Sequence, residues 1–193
     1  WDGTELWVGK IQADGSLAEN AHIAGGSTES IFQPEWSPFG ILYFISDRSG
    51  WWNLYRARNG NIDALCEKDA DFGRAQWVFG VGTYAFVSAS QIICTYTENG
   101  TWYMASLDPG TLQFDPITLP YTELGDVQVK SGNAFFIAGS PTEPLSIVRL
   151  DLKKQHTTVL RRSSELTLAP GDLSAPQAVA FPTEQGRTAY GLF

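Results

Sequence analysis

The stretch from Phe32 to Arg56, FQPEWSPFGILYFISDRSGWWNLYR, decides the fold. Gln33 to Ser37 reads as a short strand carrying Trp36, and the Pro38-Phe39-Gly40 turn leads into Ile41 to Ser46. That second run is apolar, too short for a helix and rich in strand-forming side chains. Asp47-Arg48-Ser49-Gly50 is turn chemistry, and Trp51 to Arg56 then resumes with large residues at successive positions. Bulk on both faces is the pattern of strands sandwiched between neighbouring sheets rather than half-solvated. These strands read as the first three of a four-stranded propeller blade.

Working outward, Asn53 to Arg58 and Asn61 to Cys66 complete that blade through Asn59-Gly60, a strong hairpin signal. Its polar last strand suits a sheet edge. Upstream, Thr4 to Ala13 and Ser16 to Ile23 form the end of an earlier blade, joined by Asp14-Gly15 as a type I′ turn. Downstream, strands are predicted at Ala75 to Phe79, Tyr84 to Ser88, Gln91 to Thr97, Trp102 to Leu107 and Gln113 to Thr118, punctuated by Asn99-Gly100 and Asp108-Pro109-Gly110. A third blade follows: Val127 to Lys130 turns at Gly132-Asn133 into Ala134 to Ala138, then Leu145 to Leu152 and Thr157 to Leu160.

Spacing supports repetition. Trp36 and Trp77 stand 41 positions apart and are predicted to be equivalent buried first-strand anchors. The predicted third-strand cores Leu54, Tyr103 and Val148 are separated by 49 and 45 positions. Propeller repeats run to roughly 40–50 residues. The fold class is therefore all-β: a partial β-propeller of about three and a half four-stranded antiparallel blades, near residues 4–24, 31–67, 75–119 and 126–160. Residues 1–165 form this unit, 166–177 a linker containing Pro170-Gly171-Asp172, and 178–193 a hairpin of Ala178 to Phe181 with Thr188 to Phe193. Opening at Trp1 and stopping within a strand pattern, the chain is expected to lack both natural ends.

Composition narrows the function classes. Seven Trp, seven Tyr and eleven Phe against one Met, with 19 Gly and 10 Pro, favour short strands and tight turns. A net charge of −8, with 13 basic and 21 acidic side chains, argues against a nucleic-acid partner, because phosphate binding concentrates Lys and Arg. Lys153-Lys154 and Arg161-Arg162 are short solvated clusters. No apolar run reaches the roughly 18 residues of a membrane helix and no signal peptide is evident, so no membrane partner is predicted and the default compartment is cytoplasmic. Cys66 and Cys94 lack metal or disulfide-scaffold spacing and read as buried free thiols.

PEWSP, LYF, SDRSGWWNLYR, Asp71-Phe72-Gly73-Arg74-Ala75-Gln76-Trp77, Ser174-Ala175-Pro176-Gln177 and Phe181-Pro182-Thr183 together resemble the prolyl oligopeptidase family of serine peptidases. The likeness is to its dipeptidyl aminopeptidase and acylaminoacyl-peptidase branch. Phe39-Gly40 stands where that family has Asp-Gly, a change confined to a turn. The resemblance implies the C-terminal part of a propeller domain, with residues 178–193 opening a truncated α/β-hydrolase domain. It implies a lid and substrate-size filter over that domain, in a parent enzyme that releases dipeptides or acylated amino acids from peptides.

The chain's own residues carry no catalytic apparatus. No serine sits in a G-x-S-x-G elbow, and His22 and His156, each in or beside a turn, read as solvated. Site residues are accordingly none: catalytic none, cofactor-binding none, metal none, and no cofactor is expected. Gly80-Val81-Gly82 reads as a loose turn, and Asn99-Gly100-Thr101 as a hairpin turn rather than a glycosylation site. Trp51-Trp52, sent to opposite faces by strand alternation, reads as packing between blades; the competing reading is a stacking platform for a ligand. Asp47-Arg48 fits either a turn ion pair or the lining of a substrate path. The expected partners are a peptide substrate through the parent enzyme and the chain's own hydrolase domain, and the isolated chain is expected to self-associate through exposed blade faces. The rival is a WD40- or TolB-like propeller acting as a protein-interaction scaffold.

Overall fold

The computed structural model describes residues 3–166 and 168–193. Its strands form meanders, each sheet following chain order. Strands β1 (Glu5–Ile11) and β2 (Leu17–Gly25) make an N-terminal pair. Sheet one contains β3 (Ile31–Trp36), β4 (Leu42–Ser46), β5 (Asn53–Arg58) and β6 (Asn61–Ala64). Sheet two contains β7 (Tyr84–Ser88), β8 (Gln91–Glu98), β9 (Thr101–Leu107) and β10 (Phe114–Ile117). Sheet three contains β11 (Glu123–Lys130), β12 (Asn133–Ser140), β13 (Glu143–Asp151) and β14 (His156–Arg162), and a hairpin of β15 (Ala178–Pro182) and β16 (Thr188–Leu192) ends the chain. Successive four-stranded antiparallel sheets packed face to face are a partial β-propeller, the fold class read from the sequence.

Local chemistry explains most strand ends. Asn59-Gly60 and Asn99-Gly100 both take positive φ at their two positions, the twist a two-residue hairpin needs. Asp14-Gly15 is not a type I′ turn: Gly15 alone has positive φ, and its N–H donates to Gln12 O at 3.0 Å. In sheet three the turn falls on Ser131-Gly132, and Asn133 already begins β12. All five residues of β4 are buried, as its apolar run predicts, while the outer strands β6, β10 and β14 have no buried residue, β14 being largely exposed.

Three cores fill the seams. Leu6, Ala24, Ile31 and Phe44 close the N-terminal pair on sheet one. Phe32, Tyr43, Phe72, Tyr84 and Tyr96 pack sheet one on sheet two. Ile93, Met104, Leu124, Phe136 and Val148 pack sheet two on sheet three.

Trp36 and Trp77 are not the buried anchors predicted from their spacing, being 56% and 78% exposed where Phe44 is 0%. Trp36 is the last residue of β3 and pairs with Leu42 at the sheet rim. Trp77 is not in a strand at all, because Ala75 to Phe79 is a connection and the inner strand of sheet two is β7. The residue of β7 facing the first residue of its partner strand is Ser88, opposite Gln91. Tyr103 also leaves the core, 42% exposed, and Met104 and Ala105 take its place. Strand alternation fails for Trp51-Trp52, since both precede β5. Cys94 is buried as predicted but Cys66 only partly, and His22 lies inside β2 rather than at a turn. Of the linker, Thr167 lies outside the described residues.

Candidate functional site: the exit face

Connectivity fixes which residues share a surface. In each meander the start of the first strand, the turn between second and third, and the end of the fourth lie at one end. Bonds between sheets align these ends. Thr4 N–H donates to Glu29 O at 3.0 Å, Asp71 and Thr97 exchange backbone bonds of 3.1 and 2.8 Å, and Trp102 N–H donates to Thr122 O at 3.0 Å. The chain leaves sheet three at Arg162 on this face. The terminal hairpin returns to it, since a Cβ built on Gly100 would lie 3.9 Å from Leu192 Cδ2.

A cavity of about 520 Å³ opens on this exit face, lined by Ser30, Asp47, Trp52, Asp71, Arg74 and Thr97 among others. Trp52 is wedged edge-on against Phe32, ring centroids 6.3 Å apart. It fits because residue 73 is glycine: a Cβ there would lie 2.9 Å from Trp52 Cε3. Asp47 Oδ1 accepts the Ser30 N–H at 2.7 Å and Asp71 Oδ1 accepts the Trp52 N–H at 3.1 Å. Both carboxylates therefore hold the rim.

Arg48 does not pair with Asp47 to hold the turn. Its Nε and Nη2 reach Glu29 at 2.9 and 3.2 Å, and Glu29 also accepts the Ser46 hydroxyl at 2.5 Å. Burial alone would push the Glu29 carboxyl up, but these bonds together with the Gly25 N–H hold it below the usual carboxylate value. On the far wall Arg74 binds Glu123 at 2.8 Å, donates to Leu124 O and stacks 3.9 Å over the Trp102 ring. Its Nε is buried without a hydrogen-bond partner.

The cavity gathers charged and hydrogen-bonding side chains around one aromatic wall, Trp52. His22 is exposed on β2, edge-on to Trp7 at 5.2 Å, and His156 opens β14; neither lines the cavity. Burial pushes both thiols up, Cys94 far above its ordinary range, so neither is an activated nucleophile. Among the described residues no group of three His, Cys, Asp or Glu side chains could hold a metal ion. Among the described residues no helix is long and apolar enough to cross a membrane. Of the residues singled out from sequence, Asp47 and Trp52 meet at the cavity, whereas Arg48 and Trp51 do not line it. Glu29, Asp71 and Arg74 were missed as functional residues, and only the Asp71-Phe72-Gly73-Arg74 string pointed near them.

The architecture defines the class, a partial propeller whose connections line a cavity on one face. No family model and no curated protein matches the sequence. Solved structures do. Puromycin hydrolase superposes with a TM-score of 0.88 at 28% identity, covering 100% of this chain and 29% of its own. A puromycin-hydrolysing peptidase of Mycobacterium tuberculosis gives 0.90 at 28% identity, covering 98% of this chain and 29% of its own. Prolyl oligopeptidase B of Galerina marginata gives 0.74 at 13% identity, covering 98% and 27%, and shares the fold. The chain thus matches puromycin hydrolase and prolyl oligopeptidases over its full length, as the propeller part of a prolyl oligopeptidase-family peptidase does. It spans less than a third of the length of those structures.

Proposed function

We propose that this chain is the non-catalytic propeller portion of a cytoplasmic serine peptidase, serving as lid and size filter over a hydrolase domain that continues from the β15–β16 hairpin. The supporting observation is the 28% identity to two puromycin-cleaving enzymes, with all or nearly all of this chain matched to under a third of theirs. The reading is also supported by the terminal hairpin, whose Leu192 lies against Gly100 on the face where the cavity opens. The substrate class we assign is peptides and short aminoacyl amides, with release of dipeptides or acylated amino acids. Enclosure of such a site excludes water and strengthens the electrostatics acting on the reacting carbonyl. Taken alone, the chain self-associates through the faces of its terminal sheets.

The test is the ratio of kcat/KM for a long peptide to that for a short chromogenic amide, in full-length wild type and Trp52→Ala. Removing the cavity wall should raise the ratio by selectively admitting the long substrate. An unchanged ratio in a folded, demonstrably loosened variant rejects the filter.

A further inference from the structure

Between the cavity rim and β7 the chain runs Ala75-Gln76-Trp77-Val78-Phe79-Gly80-Val81-Gly82-Thr83, with no charged residue. Trp77, Val78 and Phe79 are 78%, 67% and 107% exposed. Scattered single apolar residues on a surface need no explanation, but three consecutive large ones form a patch of the kind that marks an interaction site. The loop is presented rather than loose, because both its ends are tied to neighbouring sheets. Arg74 is held by Glu123 of sheet three, Gln76 Nε2 donates to Ile31 O at 2.8 Å, and the Thr83 N–H donates to Gln33 Oε1 at 2.7 Å.

We propose that the Trp77-Val78-Phe79 loop is a docking plug that inserts into an apolar recess of the catalytic body of the same polypeptide, fixing how the propeller sits over it. This rests on the reading of the chain as the propeller portion of a peptidase. The loop enters β7 at the end of sheet two where the chain leaves sheet three and where Leu192 comes up against Gly100. The hairpin on that face is itself exposed and apolar, at Val179, Phe181, Tyr190 and Leu192. One apolar body joined through the hairpin covers both surfaces, whereas a charged partner finds nothing to pair with between Ala75 and Thr83.

Hydroxyl-radical footprinting of the full-length protein tests this with an internal standard. Phe39, in the β3–β4 turn at the opposite end of sheet one, is 62% exposed. Phe79 should be labelled at least about fivefold less than Phe39, although it is the more exposed of the two in this chain. Labelling of Phe79 equal to or above that of Phe39 overturns the proposal. Protection that rises with protein concentration assigns the loop to a second copy, and protection that requires added peptide assigns it to the substrate; either also overturns it. The two readings fail separately. A full-length protein with a protected loop but no peptidase activity sinks the functional reading alone, and an active one with an open loop sinks only the plug.

Discussion

The seam between sheets one and two differs from the seam between sheets two and three. The first is filled with rings: Phe72 stacks on Tyr96 at 5.4 Å and meets Phe114 edge-on at 6.1 Å, while Tyr43 meets Phe86 at 5.0 Å. The second holds one buried ring, Phe136, among Ile93, Leu124, Val148 and the small side chains of Ala134 and Ala138. Each has its own polar tie. In the first, Gln33, at a bulge with φ of 46°, uses its side-chain amide like a strand backbone. Its Oε1 accepts the Thr83 N–H at 2.7 Å, its Nε2 donates to Tyr84 O at 2.9 Å, and the Tyr84 hydroxyl donates to Gln33 O at 2.8 Å. In the second, the Val127 N–H donates to Gly82 O at 2.9 Å and Arg74 clamps Glu123. Neighbouring blades can thus be joined by different chemistry within one architecture.

The largest expected effect breaks the ring-filled seam. Phe72→Ala should cost about 3–5 kcal/mol, because a fully buried ring leaves a cavity. Phe79→Ala, at a fully exposed position, should stay within about 0.5 kcal/mol, the range of surface substitutions. Urea midpoints of the two variants check this, and comparable losses would mean that the packing layer is misassigned.

Next, Gln33→Leu should cost about 2–3 kcal/mol by stranding the Thr83 N–H and the Tyr84 carbonyl. Hydrogen exchange should accelerate at the Thr83 amide and leave Val127 unchanged, which would separate the two seams. Equal acceleration at both amides would merge them into one cooperative unit.

The smallest effect is electrostatic. Glu29 has a depressed folded-state pKa, so its contribution is complete above the ordinary carboxylate range and is lost as pH falls through the folded value. Urea midpoints between pH 6 and pH 3 should fall less steeply in Glu29→Gln than in wild type. Parallel slopes would remove Glu29 from the acid response.

Strands and hairpins were legible because Asn-Gly turns and apolar runs are local signals. Register and side-chain role were not. Trp36 and Trp77 suggested a repeat anchor, yet the outcome depended on β7 pairing with β8, a partner that tryptophan spacing does not specify. Asp47 and Arg48 are adjacent in sequence but bond Ser30 and Glu29, set beside them by the β3–β4 pairing. The cavity gathers residues from Thr4 to Thr97, a convergence created by stacking sheets end to end. The family resemblance reached further than any single spacing, since it drew on whole strings of residues.

The role proposed for this chain is to cover a peptidase site without supplying its nucleophile. A serine-directed fluorophosphonate probe tests that most directly, with the labelled residue located by mass spectrometry in both this chain and the full-length protein. No specific labelling is expected between Gly3 and Phe193, and stoichiometric labelling of one serine is expected beyond Phe193. A stoichiometrically modified serine within this chain, or a full-length protein that takes up no probe, would contradict that role.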